Sequence, residues 1–262
     1  MRTDTAGRAW VTTRGARRVP EVAVTFWIVK GLSTAMGEST SDYLVHVMAP
    51  ELAVALGFCG FVAALVLQFR AGRYVAWTYW FAVVMVGVFG TMAADVVHVR
   101  LGVPYTASTI FYAAVLALVF IAWYRTEHTL SIHEIDTPRR EAFYWATVAA
   151  TFAMGTALGD FTAYTLKLGY FPSAILFAAV IAAVALGYRL RRGNAVLTFW
   201  IAYVMTRPLG ASIADGLAKS HHDSGLGMGD GVVVLVFGAL IVAMVTYLAI
   251  TKRDVQRRVD AG

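Results

Sequence analysis

An aromatic residue followed by Trp, nine residues, Gly, four residues and Asp occurs four times in this chain at unchanged spacing. The copies are Phe26-Trp27 with Gly37 and Asp42, Tyr79-Trp80 with Gly90 and Asp95, Tyr144-Trp145 with Gly155 and Asp160, and Phe199-Trp200 with Gly210 and Asp215. A motif of fixed internal spacing that recurs along a chain marks a repeated supersecondary unit and restricts the fold before any single residue is read. Each copy lies in an apolar segment able to cross about 30 Å of hydrocarbon as a helix. A second apolar segment follows each copy, so the unit reads as a two-helix hairpin. Eight spans are expected, near 22–46, 50–69, 74–98, 107–125, 141–164, 171–189, 195–217 and 231–251.

Composition agrees. Of 262 residues, 59% are hydrophobic and 15% charged, against about 45–50% and roughly 25% in soluble domains. The apolar excess must face lipid. A single cysteine, Cys59, excludes a disulfide scaffold. The net charge of +6 is no nucleic-acid footprint, because the basic residues sort by topology. With the N-terminus inside, 17 of the 22 Lys and Arg residues fall on the cytoplasmic side. Arg100, Lys167 and Lys219 fall outside, and Lys30 and Arg207 lie within spans. Residues 1–20 read as a basic cytoplasmic tail, since no apolar run precedes a cleavage site. Residues 21–253 form the membrane domain, with repeats at about 21–73, 74–138, 139–193 and 194–253, and 254–262 form a second cytoplasmic tail.

The expected fold is therefore an all-α membrane protein, its eight helices arranged as four parallel two-helix repeats around an axis normal to the membrane. At 1.5 Å per residue, each Trp lies about 22 Å from its Asp, which puts the Trp at the cytoplasmic interface and the Asp toward the outer end. The segments FWIVKGLSTAMGESTSDYL, YWFAVVMVGVFGTMAADV, FYWATVAATFAMGTALGDFTA and FWIAYVMTRPLGASIAD resemble a bacterial integral-membrane family of unknown function with four tandem two-transmembrane repeats, each carrying a characteristic Trp. The resemblance covers about residues 20–253. It implies a multi-pass protein of the bacterial inner membrane and supplies no activity.

Function has to come from the residues. The apolar stretches of the even helices hold no Asp, Glu, Lys, Arg or His and read as lipid-facing walls, which makes the odd helices the inner layer. Residues four apart share a face. Helix one then presents Lys30, Thr34, Glu38 and Asp42, and helix seven Tyr203, Arg207, Ala211 and Asp215. The odd helices carry Glu38, Asp42, Asp95, Asp160 and Asp215 against Lys30 and Arg207, a formal −3 that favours a cation.

Two readings of the four Asp stand side by side. They form a cation site at the outer mouth, with His46 and His98 one turn beyond as metal ligands, or they cap the backbone of their own turns. Lys30 and Arg207 are charge-pairing or gating residues, with partners expected on neighbouring helices because Glu38 and Asp215 lie two turns away along their own helices. Gly37, Gly90, Gly155 and Gly210 suit close helix approach. Trp27, Trp80, Trp145 and Trp200 suit interfacial anchoring and packing. The loop 218–231, with alternating glycines, lacks a Walker lysine, and HExxH, GxSxG and GxGD signatures are missing.

The expected function is a transporter or channel for small cations, a divalent metal with proton coupling included, with no covalent cofactor. The competing classes are a membrane scaffold or sensor and, third, an intramembrane enzyme. The partners are lipid and small cations. Single cysteines at Arg70, Arg140 and Arg192 should resist an impermeant thiol reagent applied outside intact cells, and labelling there would overturn the topology.

Overall fold

The computed structural model describes residues 16–190 and 193–256. Arg2, Arg8 and Arg14 of the basic tail, Arg191 and Arg192, and Arg257 and Arg258 lie outside the described residues. Eight α-helices follow in order: α1 (Val24–Val47), α2 (Pro50–Ala71), α3 (Ala76–Asp95), α4 (Tyr105–Glu127), α5 (Pro138–Asp160), α6 (Tyr170–Arg189), α7 (Ala195–Ala218) and α8 (Asp230–Thr251). The ends carry local signals. Pro50 and Pro138 open α2 and α5, where a missing N–H costs nothing. The Thr137 and Asn194 side chains accept from the first-turn amides of α5 and α7.

Six helices are long and apolar enough to cross a membrane, and the chain is a multi-pass membrane protein. The other two, α1 and α5, match them in length with 24 and 23 residues but carry more polar side chains. Burial separates the helices as hydropathy does. The apolar windows of α2, α4, α6 and α8 are 22% buried, and those of α3 and α7 are 61% buried. The helices α1, α3, α5 and α7 pack in a closed ring, α1 and α5 each against both α3 and α7.

The packing of the even helices differs from the hairpin reading. The principal partner of α2 is α3, that of α4 is α5, that of α6 is α7, and that of α8 is α1. Each connection carries its even helix sideways onto the next odd helix, so the packed pair is offset by one helix from the sequence pair. The contact of α8 with α1 closes the circle.

The motif glycines set the spacing of the ring. Each faces the residue seven positions after the motif Trp of the next odd helix: Gly37 faces Gly87, Gly90 faces Phe152, Gly155 faces Arg207, and Gly210 faces Thr34. A Cβ on Gly37 would lie 3.0 Å from the Gly87 backbone, and one on Gly90 would lie 2.8 Å from Phe152 Cβ. Helix faces meet this closely only where side chains are absent.

At the end where α1, α3, α5 and α7 begin, aromatic rings fill the core. Trp80, Trp145 and Trp200 are buried and pack edge-on against Tyr79, Tyr144 and Phe199. They are packing residues rather than interfacial anchors, because a ring this enclosed reaches no headgroup; only Trp27 is half-buried.

The tail boundaries also shift. Residues 16–20 are folded onto the helices: the Tyr74 amide donates to the Arg17 carbonyl, Val19 is buried, and Arg18 pairs with the fully buried Glu141. A carboxylate buried at that depth requires a counter-charge, which the tail supplies. Asp254 joins the body too, accepting from Tyr74 Oη and, through its carbonyl, from the Glu21 amide.

Gly37→Ala should lower stability in detergent by about 1–3 kcal/mol, the usual cost of overpacking. Gly31→Ala, in the same helix with nothing within 4 Å of the new methyl, should leave it unchanged or raise it by up to about 1 kcal/mol. Thermal unfolding of both variants checks this, and equal losses would contradict the close-packed ring.

Candidate functional site

The last turns of α1, α3, α5 and α7 surround a cavity of about 330 Å³. Glu38, Asp42, Asp95, Asp160 and Asp215 all line it, together with Arg100, Lys219, Tyr105 and Tyr164. The four motif carboxylates thus share one cavity, and the glycine ring brings their helices together.

The four carboxylates are not equivalent. Asp42 forms an ion pair with Lys219, whose Nζ also lies 3.9 Å from Asp215. Asp95 and Asp160 have no ion-pair or hydrogen-bond partner among the described residues. Each is the last α-helical residue before a five-residue π-helical segment, Val96–Arg100 after α3 and Phe161–Thr165 after α5. π-type turns of this kind close helices at their C-terminal ends. No sequence signal marked them beyond the 65-residue offset that relates the two segments.

Lys219 is held by the glycine-rich loop 218–231. That loop folds back on the end of α7: the amides of Leu226, Gly227, Met228 and Gly229 donate to the carbonyls of Gly216, Lys219, Leu217 and Ala218. Left-handed backbone at Gly227 and Gly229 permits the path. The loop thus satisfies helix-end carbonyls and positions the Lys219 ammonium over the acids.

Beneath the cavity the four odd helices converge on one guanidinium. Arg207 of α7 is fully buried. Its Nη2, with two hydrogens to share, lies within hydrogen-bond reach of Glu38 of α1, Thr91 Oγ1 of α3 and Thr156 Oγ1 of α5, the last at 2.6 Å, while Nε and Nη1 find no partner among the described residues. Thr91 Oγ1 also lies 3.2 Å from Glu38 Oε2. Glu38, Thr91 and Thr156 occupy equivalent positions, eleven residues after their motif Trp. Arg207 therefore pairs across helices, as its spacing from Asp215 requires.

Lys30 departs from the expected charge pairing. Its Nζ makes no hydrogen bond and lies 4.2 Å from the Phe152 ring centroid and 4.3 Å from that of Tyr203. Arg207 Cζ lies 5.3 Å from the centroid of the same Phe152 ring. Lys30 Nζ therefore rests against two aromatic faces, and no carboxylate pairs with it among the described residues.

His46 and His98 are not brought to the acids. His46 Nδ1 is 2.6 Å from the Asp42 carbonyl oxygen, and His98 Nδ1 is 2.6 Å from that of Val103, with its ring stacked on Tyr105. Local carbonyls have claimed both imidazoles. Among the described residues no three His, Cys, Asp or Glu side chains are grouped to hold a metal ion.

Chemically, the arrangement is an acidic pocket edged by tyrosines, floored by a buried Glu38–Arg207 pair, and closed below by Lys30 and the aromatic core. No curated protein and no solved structure matches the chain. Residues 78–129, 143–194 and 198–254, together more than half of the chain, match a family described as Repeat of Unknown Function (DUF347), and the chain belongs to that family.

Proposed function

We propose that this protein is a membrane transporter for small monovalent cations, organic ammonium ions included. Its four two-helix repeats stand around an axis normal to the membrane, with the odd helices inside and both termini cytoplasmic, so that the acidic cavity opens outward. The supporting observation is the cavity itself: five carboxylates against two cations among its lining residues leave a formal charge of −3. Field lines from such a cleft concentrate cations at its mouth.

The cation class follows from the spread of the ligands. The carboxylates ring a space of about 330 Å³ and do not converge on a point, so a hydrated ion or an alkylammonium fits better than a dehydrated divalent metal. Tyr105 and Tyr164, stacked 5.8 Å apart at the rim, add aromatic surface suited to an organic cation. Asp95 and Asp160, with no basic partner, are the carboxylates available to exchange a proton for the cation. The sealed floor makes the cycle a gated one, with Arg207 and Lys30 repelling a cation until the helices around them move. No chemical transformation is assigned to the site.

Purified protein in liposomes, loaded with a pH dye and offered Na⁺, K⁺, Mg²⁺, Mn²⁺ and methylammonium, tests this reading. Wild-type protein should move a monovalent ion. Asp95→Asn and Asp160→Asn should each cut flux about tenfold or more, a loss of ~1.4 kcal/mol or more, while remaining folded. Lys219→Gln should lower the KM, because it removes a resident competitor for the acids. Absence of any cation flux, or Asn variants that match wild type at equal incorporation, would transfer support to a structural scaffold.

A further inference from the structure

A second cavity, of about 580 Å³, lies at the opposite end of the helices, between the end of α6 and the starts of α1 and α7. It exists because one repeat lacks a seal that the other three have. The helices α4 and α6 begin at Tyr105 and Tyr170, 65 residues apart, the same offset that relates Trp80 to Trp145. In α4 that register places Phe120 and Trp123 edge-on against Trp200, with centroids 5.1 and 5.7 Å away. Their counterparts in α6 are Ala185 and Tyr188, and both line the cavity.

The same register, counted from the helix starts Pro50 and Asp230, gives Gln68 in α2 and Leu248 in α8. Gln68, Trp123 and Leu248 are 1%, 0% and 1% exposed, whereas Tyr188 is 50% exposed. The space that α4 fills with two large rings is open beside α6, and Trp27 and Phe199 form its back wall.

Four of the lining side chains, Ser131, His133, Arg189 and Thr198, are polar, and the rest are apolar or aromatic. Arg189 and His133 line the same cavity, and Arg189 has no ion-pair or hydrogen-bond partner among the described residues. In sequence it is followed closely by Arg191 and Arg192. The Trp27 indole also has no hydrogen bond to the described residues. An apolar slot with a cation at one end is complementary to an amphiphile with an anionic head. A basic pocket between helices at the cytoplasmic side is the usual setting for an anionic lipid headgroup.

We propose that this cavity is a lateral binding site for one anionic phospholipid, its acyl chain against Trp27, Phe199 and Ala185 and its phosphate on Arg189. The site is independent of the cation cavity, and its occupancy is read without any flux measurement, so either reading can fail alone.

The test is native mass spectrometry of the full chain released from micelles containing equal phosphatidylglycerol and phosphatidylcholine. Wild-type protein should retain one phosphatidylglycerol with about tenfold preference. Arg189→Gln should erase the preference, whereas Arg125→Gln, at the end of α4 where the rings fill the space, should keep it. The double change Ala185→Phe with Tyr188→Trp copies the seal of α4 and should abolish retained lipid while raising the thermal midpoint. Equal retention of both lipids by wild type, retention unchanged in the filled variant, or a dimer present in wild type and lost on filling would overturn the proposal. Should the filled variant misfold, the contrast between Arg189→Gln and Arg125→Gln still decides, since equal preference in the two excludes the site.

Discussion

A guanidinium removed from water keeps its charge, so the protein around it must bring acceptors to it. Arg207 is in that position, fully buried among four helices. Its Nη2 draws Glu38, Thr91 and Thr156 inward, one side chain from each of the other three odd helices. Removing one member of such a buried pair costs about 3–5 kcal/mol, because the other charge is left unmatched. Replacing both with apolar residues of similar volume is far milder, so the pair specifies how the helices meet more than it adds stability. Space for it comes from the motif glycines: a side chain at Gly155 would collide with Arg207, and one at Gly210 with Thr34. The close ring and the buried charge therefore depend on each other.

Much of this was legible from spacing. Helix existence, the polar character of the odd helices and the gathering of the four Asp around one cavity follow from the repeated spacing, because equal rise per residue carries equivalent residues to the same end of packed helices. Spacing says less about rotation toward neighbours. It required that Arg207 find a partner off its own helix, but not that Glu38 would be that partner. It gave no hint that Lys30 would meet two aromatic faces, since Phe152 and Tyr203 are ordinary apolar positions when read alone. The π-helical turns after Asp95 and Asp160 were invisible for a similar reason: they are set by how the following connections return to the bundle. The docking of residues 16–20 was missed because a basic run ahead of the first span looks like any cytoplasmic tail, and the charge that captures Arg18 lies far along the chain at Glu141.

The repeat supplies positions, and the departures from it supply chemistry. Seven residues after each motif Trp stand Thr34, Gly87, Phe152 and Arg207, which share a level but neither size nor charge. Gly87 admits Gly37, Phe152 lies against both Lys30 and Arg207, and Arg207 joins the four odd helices. At the level of the acids the carboxylates are conserved in type yet divided in circumstance, since Lys219 engages Asp42 and Asp215 and leaves Asp95 and Asp160 without a basic partner. A strictly four-fold protein would place four identical sites around an axis that no single ligand needs. This chain uses one cation on one loop to turn that ring into two unlike pairs.

The break beside α6 extends the same logic to the outer layer. Gln68, Trp123 and Leu248 seal their flanks, while Tyr188 stands half exposed and leaves Trp27 and Phe199 as the wall of an open slot. Those two residues belong to α1 and α7, the helices that also carry Lys30, Glu38 and Arg207. Both breaks in the repeat therefore fall on the same pair of helices, one at each end. Between the two breaks, Gly210 meets Thr34 and holds α7 tight against α1, so the two cavities share helices without sharing a lining residue.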